Sequence, residues 1–382
     1  MTSDPIYLDH NATTPLLPEV VEAMLPFLRE HFGNPSSGHV YGARAKAAID
    51  RAREQVAALL ACDPDEVLFT SGGTEANNLA IRGVTEARPE RRAVVTTTIE
   101  HPATARPCAW LEAHGYRVSR LGVDRDGRAK VAGALEAIGT DAALVTVMHS
   151  NNETGVLQPV AALSALAHAA GALVHTDAAQ SVGKVPVRVG ELGVDLLSVA
   201  GHKLYAPKGV GALYVKRGTP LAPFVLGAGH ERGLRPGTEN VASIVALGTA
   251  CEVLGRDLAA ASSRVALLRD VLWKQLAAAV PGLALNGHRS LRLPNTLNVR
   301  FPKVSGSAVL AAAPEVAAST GSACHDGHES ASAVLLAMAV PAEEALGSVR
   351  LTLGRGTTEE DVARAAEALA RAHGVVLSSG RP

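Results

Sequence analysis

Two stretches, His175-Thr-Asp-Ala-Ala-Gln180 and Ala200-Gly-His-Lys203, constrain this chain more than any others. The apolar run Ala172-Leu173-Val174 leads to the carboxylate of Asp177, and the run Val194 to Val199 leads to His202-Lys203. Short β-branched runs joined by a connection of this length predict neighbouring parallel strands. Ligands of open α/β sheets sit beyond the carboxyl ends of such strands, so Asp177 and Lys203 are expected to point into one crevice. A buried lysine of lowered pKa forms Schiff bases readily. An aspartate opposite a pyridine nitrogen keeps that ring protonated. The pair meets the needs of a pyridoxal 5′-phosphate (PLP) site. Taken alone, it reads more readily as a surface lysine and a helix-capping aspartate. The residues around it decide the matter.

Strands and helices alternate through the first two-thirds of the chain. Helices are predicted from Pro18 to about Arg29 and from Ala43 to Leu60, on either side of the loop Phe32-Gly-Asn-Pro-Ser-Ser37. Strands are predicted at Val67–Thr70, Val94–Thr98, Tyr116–Leu121, Leu144–Met148 and, antiparallel to its neighbours, Val210–Val215. This order argues a mainly parallel sheet with helices on both faces. The first of these strands runs into Ser71-Gly72-Gly73-Thr74-Glu75, a glycine turn opening a helix. Such a turn offers free N–H groups to a phosphate. No P-loop or dinucleotide fingerprint occurs. His101 follows another strand end. It reads equally as an imidazole stacked on a ring or as a cap for the next helix. Asn151-Asn152, also at a strand end, can bind a carboxylate or phenolic oxygen. The polar glycine-rich loop from 227 to 240 carries Arg232, Arg235 and Thr238, an anion-handling set.

The remainder changes character. Helices from Val241 to about Leu258 and from Ser262 to Ala279 precede strands at Leu293–Phe301 and Val349–Leu353. Helices at Ser305–Ala312 and Thr358–Ala372 cover these strands. The predicted division is a large unit over 15–257 and a small unit built from 1–14 and 258–382. Hydrophobic residues make up 47% of the chain and aromatic ones only 3%, so both cores must be built from Ala, Val and Leu. A net charge of −1 gives no field to gather nucleic acid or an anionic membrane. The N-terminus shows no signal pattern, and no apolar run is long enough to span a bilayer. A cytoplasmic location is expected.

Cys62, Cys108, Cys251 and Cys324 lie far apart without zinc spacing, which suggests free thiols in a reducing compartment. The first three read as inert hydrophobes. Cys324 alone sits in a polar, glycine-flanked loop, Ser319-Thr-Gly-Ser-Ala-Cys-His-Asp-Gly-His-Glu-Ser330. A metal site there would need three or four good ligands, and His325, His328, Asp326 and Glu329 are not a convincing set. A solvated loop and a nucleophilic thiol remain, and the thiol is the favoured reading.

With these pieces placed, the sequence closely resembles the cysteine desulfurases of the class V aminotransferase fold, in the group whose cysteine loop is long. The resemblance runs from Tyr7-Leu-Asp-His-Asn-Ala-Thr-Thr-Pro15 through Phe69-Thr-Ser-Gly-Gly-Thr-Glu-Ala-Asn-Asn78, Glu100-His-Pro102, Asn151-Asn-Glu153 and His175–Gln180. It continues through Gly201-His-Lys203, Arg235-Pro-Gly-Thr-Glu-Asn240, Ser319–Cys324 and Leu353-Gly-Arg355. It implies an α/β PLP-dependent transferase fold and these roles. Lys203 holds PLP as a Schiff base and moves protons at the substrate Cα. Asp177 pairs with the pyridinium nitrogen, Gln180 meets the phenolic oxygen and His101 stacks on the ring. Gly73, Thr74 and His202 hold the phosphate, with Thr238 reaching in from the second subunit of a homodimer. Asn152 and Arg355 clamp the substrate carboxylate. Cys324, on a loop of about 319–332, takes the sulfur of L-cysteine as a persulfide and leaves alanine. His101 or His325 would accept the thiol proton. The sulfur would pass to an acceptor protein such as an iron–sulfur scaffold or a thiolation protein. Ala200 departs from the serine common in relatives, which removes one phosphate hydrogen bond. The run Ala323-Cys324-His325 also resembles selenocysteine lyases, so L-selenocysteine stands as an alternative substrate.

Overall fold

Seven strands form the principal sheet of the computed structural model, which describes residues 4–321 and 330–379. Their spatial order is Val67–Thr70, Gly211–Val215, Leu196–Ala200, Leu173–Asp177, Ala142–Thr146, Ala93–Thr97 and Arg117–Leu121. The last five in that order run parallel, and Gly211–Val215 is antiparallel to both its neighbours. Five of the seven are buried along their whole length, and Leu173–Asp177 is buried from Val174 onwards. Sheets covered by helices on both faces read as continuous apolar runs for this reason. The strand Ala142–Thr146 begins and ends two residues earlier than expected, because Val147 and Met148 are as apolar as the strand itself.

The parallel strands bring their carboxyl ends to one edge. Asp177 is the last residue of its strand, and Ala200 is the last of the next. A single helical turn, Gly201–Lys203, then swings Lys203 across the edge. Beneath it the sheet interior holds a polar ladder. The His175 ring nitrogens lie 2.8 Å from Thr146 Oγ1 and 2.9 Å from Ser198 Oγ, and burial pushes the imidazole down to about 4. It is neutral at pH 7 and satisfied on both sides, as a buried polar side chain must be.

The second sheet is a three-stranded antiparallel one, with Thr296–Arg300 between Ser348–Thr352 and Ala284–Leu285. Its core joins Ile6 and Leu8 from the N-terminus to Leu268, Leu272 and Leu276 and to Val362, Leu369 and Val376. Those last two sets come from the helices Leu258–Ala279 and Glu359–Ser379. Asn11 ties the two sheets together. Its Nδ2 donates to Thr296 Oγ1 (3.0 Å) and its backbone oxygen accepts from Gln180 Nε2 (2.9 Å). Among the described residues no helix is long and apolar enough to cross a membrane.

The helices Val40–Leu60 and Val241–Arg256 pack at close range because Gly248 faces Ala52; a Cβ on Gly248 would lie 2.6 Å from the Ala52 Cα. That gap cannot absorb a methyl group without moving backbone. Gly248→Ala should therefore lower the stability of the holoenzyme by about 1–3 kcal/mol, read as a drop in the thermal midpoint, and an unchanged midpoint would show that the two helices part freely.

Candidate active site

The carboxyl edge of the sheet opens into a cavity of 330 Å³. Gly73, Thr74, His101, Asn152, Asp177, Gln180, His202 and Lys203 all line it, together with Asn11, Asn77, Ala200 and Arg350. Asp177 is buried and held from two directions. Asn77 Nδ2 donates to Oδ2 (2.7 Å) and the Ala179 N–H donates to Oδ1 (3.0 Å). Lys203 is the cation of the same cavity. Burial lowers its pKa and Arg350 adds to the effect, while Asp177 opposes them. A lowered lysine pKa leaves more of the amine free to form an imine.

The Gly73–Ala87 helix begins at the cavity wall. Its N-cap is Gly72, at φ +149°, and no side chain caps it. The first-turn N–H groups are thus left for an anion. Ala200 closes this cradle, since a Cβ on Gly73 would come within 3.2 Å of the Ala200 Cβ. His202 stands beside it, its Nδ1 3.3 Å from Thr13 Oγ1. Burial, with Lys203 close by, pushes its ring down to about 4, so it meets an anion as a neutral donor. His101 stands at the same cavity. It caps the helix Pro102–Ala113 by accepting the Ala103 N–H at Nδ1 (3.1 Å), and its ring lines the cavity. Burial and then Lys203 lower its pKa. With Nδ1 accepting, the neutral ring carries its hydrogen on Nε2.

These groups fit PLP. An anion-binding helix end, a fixed carboxylate, a lysine of depressed pKa and an imidazole surround one cavity of suitable size. The fold and this site define a PLP-dependent α/β enzyme. Residues 6–365 match the class V aminotransferase family, and the chain belongs to it, among the cysteine desulfurases. It is 45% identical over 360 residues to the cysteine desulfurase IscS of Dictyoglomus turgidum, covering 94% of this chain and 91% of that one. It is 46% identical over 362 residues to the cysteine desulfurase NifS of Azotobacter vinelandii, covering 94% and 90%. A solved NifS-like protein superposes with a TM-score of 0.90 at 35% identity, covering 98% of this chain and 100% of that one. A structure described as SspA in complex with cysteine gives a TM-score of 0.80 at 34% identity, covering 91% and 98%.

Two expected site residues stand elsewhere. Thr238 is exposed on the 227–240 loop, away from the cavity of its own chain. That loop is fastened to the sheet by buried Glu231, which accepts from Arg53 Nη2 (2.6 Å) and the Phe69 N–H (2.9 Å). Arg355 is the second, and it does not line the cavity. The strand ends at Thr352 and the chain turns at Gly354. The Arg355 guanidinium then meets Asp257 at 2.6 and 2.8 Å, while its N–H donates to the Tyr205 hydroxyl. The arginine of the cavity is Arg350, two positions before the strand end. Its Nη2 donates to Asp9 Oδ1 (2.8 Å) and its Nη1 to the Asn152 carbonyl (3.0 Å), and its Nε has no partner among the described residues. An arginine between Val349 and Leu351 in a strand was the signal that could have marked it. Asn77 gave no comparable signal, because its function appears only when its helix lies beside Asp177.

Cys324 and His325 lie outside the described residues, but the residues on either side of them are tied to the cavity wall. The Arg350 N–H donates to the Ser319 carbonyl (2.7 Å). On the N-terminal side Gly321 lies against the Glu153 carboxyl, and on the C-terminal side Ser332 Oγ donates to Glu153 Oε2. Among the described residues no cluster of His, Cys, Asp and Glu could hold a metal ion. Burial raises the Glu153 carboxyl from 4.5 to about 7, against the opposing effects of Ser332 and Arg350. A carboxyl that holds its proton more tightly folded than unfolded adds stability in acid, and that contribution is lost as pH rises through about 7. Glu153→Gln lacks this dependence. Between pH 5 and pH 8 it should gain on the wild type by on the order of 3 kcal/mol, measured by thermal unfolding. A difference that stays constant over that range would contradict the assignment.

Proposed function

We propose that this chain converts L-cysteine to L-alanine and passes the sulfur to Cys324 as a persulfide. The observation that carries the residue assignments is the opposition of Lys203 and a doubly held Asp177 in one cavity beneath an uncapped helix end. The cysteine seen with SspA, a protein 34% identical to this chain, supports the same substrate. When bound, PLP supplies an electron sink that makes the substrate Cα proton acidic and lets the Cβ–S bond break.

The chain's own groups do the rest. Lys203 Nζ anchors the cofactor, then takes and returns the proton at Cα. Asp177, oriented by Asn77, faces the ring nitrogen. Gln180 meets the phenolic oxygen, His101 stacks on the ring face, and Gly73, Thr74 and His202 hold the phosphate. Arg350 and Asn152 grip the substrate carboxylate. Arg350 is already oriented by Asp9, and a guanidinium takes a carboxylate through two parallel bonds. The Cys324 thiolate forms a bond to the substrate sulfur as Cβ–S breaks, and the carbon receives a proton. The thiol's own proton goes to His101 or His325. His101 in the tautomer set by Ala103 holds a hydrogen on Nε2, so it must first give that hydrogen up before it can accept there.

A second copy of the chain completes the site in this reading. Leu28, Phe32, Val40 and Tyr41 are exposed on neighbouring segments, with Phe32 and Tyr41 stacked at 5.6 Å. An apolar face of this kind suits a homodimer, and Thr238 would reach the partner's cavity from its exposed loop. Residues 15–257 carry the cofactor groups, and 1–14 with 258–382 carry Arg350 and the cysteine. The persulfide then meets an acceptor protein.

Lys203→Ala should give a colourless protein that loses PLP on dialysis and releases no sulfide; a yellow variant with normal turnover would overturn the assignment. Arg350→Gln should raise the KM for cysteine by about 10–100-fold, as expected for a lost charge-assisted pair, with a smaller change in kcat. The same effect in Arg355→Gln alone would restore Arg355 as the clamp. Selenocysteine lyase activity is the competing reading. Cys324→Ala should abolish sulfide release from L-cysteine, and selenide release retained in that variant would favour the competitor.

A further inference from the structure

Lys184 is a buried lysine with no acid beside it. Its Nζ donates to Asn11 Oδ1 (3.1 Å) and to Gln180 Oε1 (3.0 Å), and no carboxylate pairs with it among the described residues. The charged groups that face it are Lys203 and Arg350, both cations, and they add to burial in lowering its pKa well below the usual value. His10 and His202 feel its charge in turn and are both held towards neutrality. An uncompensated buried cation is expensive unless it serves another end.

The hydrogen bonds say what that end is. Lys184 only donates to its two partners, so the oxygen of the Gln180 amide must face it. The Asn11 backbone carbonyl only accepts, so the nitrogen of the same amide must face that side, where Nε2 donates at 2.9 Å. Two independent neighbours thus fix one orientation. The second Nε2 hydrogen takes no partner among the described residues, and Gln180 lines the cavity. Asn11 is locked as well. Its Oδ1 also accepts from Asn295 Nδ2 (3.0 Å), and its Nδ2 is committed to Thr296 Oγ1 (3.0 Å) and to the Asn152 carbonyl (3.2 Å). The cluster therefore cannot relax by turning Asn11 instead.

We propose that Lys184 is a positioning residue for the cofactor: it holds Gln180 as an obligate donor towards the phenolic oxygen and so keeps that oxygen an anion. This deepens the function proposed above and rests on its placement of Gln180. The sign of the effect follows directly. A well-stabilised phenolate competes weakly for the proton on the Lys203 nitrogen once lysine and cofactor are joined. This lowers the pH at which the linkage deprotonates. Removing Lys184 must raise it.

The test is a spectroscopic pH titration of the holoenzyme, following the visible band of the bound cofactor. Lys184→Met should shift the midpoint upwards by about one pH unit, a tenfold change in the dissociation constant. In a Gln180→Ala background the same substitution should add little, because it acts through Gln180. An unchanged midpoint in Lys184→Met, or full additivity of the two changes, overturns the proposal. If the wild type itself takes up no coloured cofactor, the parent reading fails instead. If Lys184→Met does not fold, neutron diffraction from the wild-type holoenzyme decides. Deuterons on the Gln180 atom nearest Asn11 support the proposal, and deuterons on the atom nearest Lys184 refute it.

Discussion

The structure depends on keeping a carboxylate and an amine apart but facing one another in a half-dry cavity. Asp177 and Lys203 belong to adjacent strand ends, and they are not ion-paired among the contacts of the described residues. Asp177 is instead occupied by Asn77 and by its own turn, at Ala179. A direct bridge between them would leave no room for a ring. The protein prevents that collapse by giving the carboxylate other donors and by pushing the lysine towards its neutral form through burial. The space so preserved is the site.

Much of the surrounding architecture serves this separation. The sheet is buried on both faces, so the strand ends that carry Asp177 and Ala200 are set by the packing of the strands themselves. The small antiparallel sheet supplies Arg350 from its edge strand Ser348–Thr352 and holds Ser319 at the near side of the cysteine segment. Asn11 stands at the junction, bonded to both sheets and to Lys184. The groups proposed to contact cofactor and substrate are therefore linked through a few amides and one arginine, each with its hydrogen bonds fixed.

The sequence disclosed the parts of the site that are local in the chain. The strand–glycine–helix turn at Gly72-Gly73, the strand-terminal Asp177 and the His202-Lys203 turn are short signals, and each has a backbone reason to be where it is. The predicted antiparallel strand at Val210–Val215 and the second small sheet follow from the same local patterns. Three things were not legible. The choice between Arg350 and Arg355 depends on where a strand stops and which way the chain turns after it. The support of Asp177 by Asn77 joins residues a hundred positions apart. Lys184 carries no signal of its own, because its lack of a counter-ion among the described residues can be seen only when the neighbours are in place.

The central claim is that Lys203, and not the more deeply buried Lys184, forms the covalent link to PLP. Reduction of the yellow holoenzyme with borohydride, followed by peptide mass analysis, tests this most directly. The account predicts a reduced pyridoxyl group on the peptide containing Lys203 and none elsewhere; the same mass on Lys184, or on no lysine at all, would contradict it.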